Sequence, residues 1–144
     1  GGGLIAGIGR AIKSVNSRAR VVGVTMAQGA AMYESQKAGH PVEVEETASL
    51  ADSLGGGIGL DNRYTFAMVR ELVDDLLLVD EDQIADAIRH AYRHEQQIVE
   101  GAGAVGIAAL RAGLVARPGV TAVVPSGGNI DMAQHARLIR NDDA

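Results

Sequence analysis

The sequence predicts an α/β domain built on a mainly parallel sheet. Short β-branched runs alternate with segments whose apolar residues recur every three to four positions. The interior has to be aliphatic: hydrophobic residues make up 47% of the 144-residue chain, yet Phe66 and three tyrosines are its only phenyl-type rings. The 19 glycines cluster ahead of helical segments, where backbone must be approached closely. This length suits one domain with a real core.

The elements follow in order. Residues 4–16 read as a helix, with Leu4, Ile5, Ile8, Ile12 and Val15 at helical spacing. Residues 20–25, RVVGVT, read as a buried strand. Residues 29–38 return to helix, closed by Gly39 as C-cap. A short strand is expected over 41–45 and a helical turn over 47–54, before the loop GGGIGLDN at 55–62. A helix over 62–73 leads to the strand LLLVD at 76–80. Residues 81–97 form an amphipathic helix with Ile84, Ala87, Ile88, Ala91 and Tyr92 on one stripe, capped by Asp80 or Glu81. The small-residue helix over 101–112 is expected to be buried all round. A strand over 120–125 turns through SGGN into a last helix over 130–140. No internal repeat or low-complexity linker divides the chain.

Composition excludes several classes. With no cysteine there is no disulfide scaffold and no thiolate metal site, and a cytoplasmic location is expected. Net charge is −5 without a basic block, which argues against nucleic acid as a partner. The longest apolar run, GAGAVGIAAL, is about half the roughly 20 residues that span a bilayer, so no membrane partner is expected. The chain opens inside a glycine loop without an initiator Met, and is expected to be part of a longer polypeptide.

Glycine precedes a helix at GGGL (Gly1, Gly2, Gly3, Leu4), at EGAGA from Glu100, and at PSGGN, which holds Ser126 and Gly127. A helix N-terminus offers unpaired N–H groups and partial positive charge, and glycine lets a phosphate reach them. GGGL therefore reads either as a phosphate cradle or as a tight strand-to-helix turn. As a cradle, it should be blocked by a side chain at Gly2. Gly1, Gly3 and Ala6 also fit the dinucleotide fingerprint G-x-G-x-x-A. That fingerprint wants an acid at the end of the second strand, where Val24-Thr25 stand instead. Ser126 sits at a strand's carboxyl end, where open α/β sheets bind ligands, and a turn or N-cap role is its structural alternative.

Taken together, GGGLIAGIG, VVGV, ADSLGGGIG, VEGAGAVGIAAL and VVPSGGN occur in an order and spacing that resembles the C-terminal half of fold-type II pyridoxal-phosphate enzymes. The group is that of threonine dehydratase and serine racemase. ADSLGGGIGLDNR with VEGAGAVGIAAL is most similar to the hydroxyectoine-utilisation dehydratases. The resemblance implies a three-layer α/β/α fold with residues 1–144 as the C-terminal portion of the catalytic domain. It implies pyridoxal 5'-phosphate as cofactor, with Gly1, Gly2, Gly3 and Leu4 around its phosphate. Ser126, followed by Gly127, would bond the pyridine nitrogen, Glu100 would lie close to the ring, and Asp52 near the substrate. The Schiff-base lysine would belong to an absent N-terminal half, the chain's nearest partner, leaving no catalytic residue proper here. Lys13 and Lys37 read as solvated surface residues. A homodimer and a small amino-acid substrate are implied. The expected reaction is loss of water from a β-hydroxy amino acid, threonine- or serine-like or hydroxyectoine-derived, giving a keto acid and ammonia. The alternatives are a non-catalytic binding fragment and a serine racemase-type isomerase.

The chain departs from the group's pattern in three places. Thr25 and Ala31 stand where cation-binding members carry carboxylates, so no hard-cation site is expected there. Ser53 replaces a glycine. Gly56 stands where racemases present a serine to substrate. His90 and His94 are spaced i, i+4 but lack the HExxH glutamate, and read as an exposed helix face. The four methionines read as aliphatic gap-fillers.

Overall fold

The computed structural model describes residues 1–116 and 119–140. Strands β1 (Val22–Met26) and β2 (Asp75–Val79) lie parallel, with Val22 opposite Asp75 and Met26 opposite Val79. Around them, in chain order, stand α1 (Gly3–Val15), α2 (Ala31–Ala38), α3 (Thr65–Leu72), α4 (Glu81–Glu95), α5 (Gly101–Arg111) and α6 (Met132–Arg140). A 3-10 turn occupies Asp52–Leu54. Parallel strands need a long crossover, and α2 and α3 lie within it.

Side chains alternate across the strands and sort the helices into layers. Gly23 faces α1, because a Cβ there would lie 2.9 Å from Ile5 Cδ1. Val24, Met26, Leu77 and Val79 face the other way and join Ile84, Ile88, Ala104 and Ala108 in the main core. One face thus carries α1 with α3 beside it. The other carries α5, backed by α4 and then α6. This is the three-layer α/β/α arrangement.

The caps explain several boundaries. Asp80 and Gln83 form a reciprocal capping box at the start of α4. Gly39, at φ +80°, closes α2 as expected. Gly29 is left-handed at φ +67°, so α2 starts at Ala31 rather than at residue 29. Asn62 accepts from the Phe66 N–H at 2.9 Å, which leaves residues 62–64 outside α3. Gln96, at φ 56°, ends the fourth helix before residue 97.

Two expected strands are absent among the described residues. Residues 41–45 make no ladder, and the Val42 N–H is taken instead by Ser35 Oγ at 3.0 Å. Residues 120–125 run antiparallel to α5, with Val123 against Gly106 and Gly127 against Gly103, but no described strand lies beside them to complete a ladder. The turn expected over 47–54 is helical only at Asp52–Leu54. The fifth helix is less enclosed than expected, with Ala102, Gly106, Ile107 and Leu110 half-buried.

Asp74 fastens the amino edge of the sheet. Its carboxylate accepts from the Val21 N–H at 2.7 Å, and its own N–H donates to Val21 O at 2.8 Å. The Lys13 ammonium donates to both Asp74 oxygens, at 2.7 and 2.8 Å. Lys13 is therefore half-buried and paired, not solvated; Lys37 is exposed as expected. The Lys13 hydrogen bond, helped by the Val21 N–H, holds the Asp74 carboxyl below the ordinary carboxylate range.

Candidate functional site

Strand β1 leads into α2 and β2 into α4, so the N-termini of α2 and α4 stand at the carboxyl edge of the sheet. Gly2 packs against the first turn of α2: a Cβ on it would lie 2.7 Å from Met32 Cε and 3.1 Å from Val69 Cγ2. The start of α1 is thereby brought to the same edge. Glu81, the first residue of α4, accepts from Ser49 Oγ at 2.6 Å and from the Leu50 N–H at 2.7 Å. The Leu50 carbonyl in turn fills the space where Gly101 lacks a Cβ, which docks the start of α5 there. Glu100 donates its N–H to Gly127 O at 3.0 Å, and Gly103 leaves 2.5 Å between its absent Cβ and that same oxygen. Each glycine segment singled out from sequence therefore converges on one edge. That edge is where open α/β sheets bind ligands.

Gly2 is the N-cap of α1 and sits at φ +83°, a left-handed conformation that favours glycine. Its absent Cβ points into the fold, at Met32 and Val69. This corrects the expectation that a side chain at Gly2 would block an anion. Gly1 and Gly3 are the residues whose Cβ positions face open space. The N–H groups of Gly3, Leu4 and Ile5 open the helix and have no intrahelical acceptor, the first bond being Ala6 N–H to Gly2 O at 3.0 Å. No acidic residue lies in the first turn to repel an anion. These features fit a phosphate, held by backbone donors without a lysine.

A second cluster lies between the 3-10 turn and the SGGN loop. The Ser53 hydroxyl donates to Glu100 Oε1 at 3.3 Å. The same Glu100 oxygen lies against Gly127, where a Cβ would overlap it. Asp52 precedes Ser53 and Ser126 precedes Gly127; both are exposed. The Asp52–Ser53 turn, Glu100 and the Ser126–Gly127 loop are thus neighbours. No hydrogen bond among the described residues joins them to Gly1, Gly2, Gly3 or Leu4. Sequence reading missed the roles of Ser53 and Gly103. Ser53 was visible as a departure from pattern, and Gly103 as the second glycine of GAG.

Other candidates resolve into structure. Thr25 Oγ1 lies 3.2 Å from Met26 Sδ, and Ala31 is buried. Among the described residues no group of three His, Asp or Glu side chains is placed to hold a metal. The His90 and His94 rings sit 4.7 Å apart, but the Arg111 guanidinium lies 2.9 Å from His90 Nδ1 and brings a positive charge where a cation would have to go. Among the described residues no helix is long and apolar enough to cross a membrane.

Residues 1–128 match the family described as pyridoxal-phosphate dependent enzyme. The chain belongs to that family. It is 61% identical over 140 residues to a Sinorhizobium fredii protein that bears a provisional threonine dehydratase name, covering 96% of this chain and 42% of that protein. Among solved structures it is similar to the threonine deaminase of T.th., with a TM-score of 0.83 and 32% identity over 91% of this chain and 47% of that one. It is also similar to maize serine racemase, with a TM-score of 0.81 and 30% identity over 99% of this chain and 44% of that one. The chain thus spans less than half the length of these relatives. The likeness supports the α/β fold with a parallel sheet and the cofactor class of the family.

Proposed function

We propose that the intact protein is a pyridoxal-phosphate dependent lyase that removes water from a small β-hydroxy amino acid and yields a keto acid and ammonia. The carrying observation is the convergence of GGGL, the Ala-Asp turn, Glu100 and SGGN on the carboxyl edge of the sheet, in a chain whose 61% identical relative bears a threonine dehydratase name. In this reading residues 1–144 are the C-terminal portion of the catalytic domain. The remainder of the polypeptide is their first partner, and the protein works as a cytoplasmic homodimer.

Each residue has a role at its own atoms. The N–H groups at Gly3, Leu4 and Ile5 hold the phosphate, while Gly1 and Gly3 keep its approach open. Ser126 offers a hydroxyl to the pyridine nitrogen. A neutral hydroxyl has a pKa far above a pyridinium's and leaves that nitrogen largely unprotonated. Glu100 would lie beside the ring and Asp52 near the substrate. The cofactor, when bound, supplies the electron sink that lets the α-proton and the β-hydroxyl leave. Lys13 is fastened to Asp74 at the amino edge and Lys37 lies in the last turn of α2, so neither stands at the carboxyl edge. The amine that carries the cofactor belongs to the rest of the polypeptide.

The substrate is threonine, serine or a hydroxyectoine-derived analogue. A racemase reading is disfavoured at Gly56, which is left-handed at φ +83° and unsuited to a serine that would face substrate. The test is keto-acid release by the full-length protein loaded with cofactor. Ser126→Ala is expected to retain cofactor and to slow release roughly threefold to tenfold, the value of one hydrogen bond. A loaded protein that releases no keto acid from any of these substrates refutes the assignment.

A further inference from the structure

We propose that Ser53 is a positioning residue for Glu100: its hydroxyl holds the Glu100 carboxylate against Gly127, and so ties the Asp52 turn to the Ser126 loop. The inference deepens the proposed function, since its consequence for the cofactor rests on that reading. The local geometry stands apart from it.

Glu100 is the N-cap residue of α5, yet its side chain makes no capping bond to the helix. It reaches outward instead, to Ser53 Oγ at 3.3 Å. Its main chain is fixed independently, by its N–H to Gly127 O and by its carbonyl, which accepts from Ala104 N at 3.0 Å. The polar partner of the side chain among the described residues is therefore Ser53. The other wall is Gly127, whose missing Cβ is the space the carboxylate occupies. A glycine at position 53 would remove that polar partner and leave the carboxylate free to rotate toward water.

The link also couples two segments that both pack on the start of α5. Gly55 lies close behind the turn, with its absent Cβ 3.0 Å from Asp52 O. The turn is thus compact, and a displacement of Ser53 carries Asp52 with it. On the far side Gly127 is bonded to Glu100 through its carbonyl, so Ser126 moves with that backbone. One carboxylate oxygen, bonded to Ser53 and packed against Gly127, would set the spacing between the Asp52 turn and the Ser126 loop.

The experiment uses the full-length protein, with Ser53→Ala, Ser53→Thr, Glu100→Ala and the double variant Ser53→Ala with Glu100→Ala. The first readout is the absorption spectrum of bound cofactor from about pH 6 to about pH 9, the range in which shifted ionisations at a site are read. Ser53→Ala is expected to change the ratio of its bands, Ser53→Thr to restore it, and Ser53→Ala to have no further effect once Glu100 is Ala and the acceptor is gone. The second readout needs no cofactor: amide hydrogen exchange of peptides spanning residues 99–104 and 124–129. Ser53→Ala is expected to speed exchange there about threefold to tenfold, the loss of one ordinary solvent-exposed hydrogen bond, with the same rescue by Thr. A spectrum and exchange rates unchanged in Ser53→Ala overturn the inference, as does a Ser53→Ala effect that persists in full beside Glu100→Ala. If the wild type takes up no cofactor, the proposed function fails, and the exchange experiment alone decides the positioning role.

Discussion

Gly2 and Gly3 are neighbours in the chain and opposites in physical role. Gly2 is required by backbone conformation and by the packing of Met32 and Val69; Gly3 is helical, with nothing near its Cβ position. An alanine at Gly2 would enter the left-handed region at a cost of about 1–2 kcal/mol and push on Met32 besides. An alanine at Gly3 would remove backbone entropy from the unfolded chain and stabilise α1 by about 0.5–1 kcal/mol. If the mouth of α1 receives phosphate, Gly3→Ala places a methyl in its approach. Gly3→Ala is thus expected to raise the urea midpoint of the cofactor-free full-length protein while weakening cofactor uptake at least tenfold. Gly2→Ala is expected to lower the midpoint. Cofactor titration beside the urea melts separates the two effects. Unchanged uptake in Gly3→Ala would remove the cradle and leave GGGL as a strand-to-helix turn.

At the scale of elements, the Lys13–Asp74–Val21 contact joins α1, the lead-in to β1 and the lead-in to β2 in one side chain. Because the Asp74 carboxyl lies below its ordinary value when folded, its contribution is fully present above about pH 4, where the unfolded chain titrates. It fades as pH falls through the lower folded value. Asp74→Ala should destabilise the protein by about 1–3 kcal/mol at neutral pH, since the nearly buried Val21 N–H loses its acceptor. The difference from wild type should shrink toward about pH 2–3, below the unfolded carboxylate range. Urea midpoints at the two pH values check this, and a constant difference would show that the carboxylate's charge is not involved. This contact was not legible in the sequence, because Lys13 and Asp74 are 61 positions apart and only the folded sheet brings them together. The helices were legible where a cap fixes them, as at Asp80 and Gly39. They were misjudged where a side chain or a left-handed glycine shortens them, as at Asn62 and Gly29. The expected strand over 120–125 had the right residue types, but a strand also needs a neighbour, and residue type does not supply one. The glycine segments of the site could be read because each is local. The Ser53–Glu100 pair joins two of those segments and could not.

The whole molecule shows more apolar surface on α1 than its core requires. Ala6 and Gly9 face inward, while Leu4, Ile12 and Val15 are 59%, 46% and 90% exposed along the outer side of the helix. Val120 and Val124 are exposed as well, and the described sheet has only two strands. Two strands are too few for independent stability without helices packed on them, and here α1 and α5 supply that cover. The cover leaves the outer stripe of α1 in water, where contiguous apolar patches drive association. Residues 1–144 purified alone are therefore expected to self-associate at micromolar concentration and to bind a hydrophobic dye such as ANS. Ile12→Glu with Val15→Lys places an ion pair at i, i+3 on that stripe, in the orientation that suits the helix dipole. Both residues lie outside the core, so stability should change by no more than about 0.5 kcal/mol. Sedimentation velocity should shift toward a single slower species, and dye fluorescence should fall severalfold. A wild-type chain that sediments as a monomer and ignores the dye would mean that α1 carries its exposed stripe without consequence, and that these residues meet nothing.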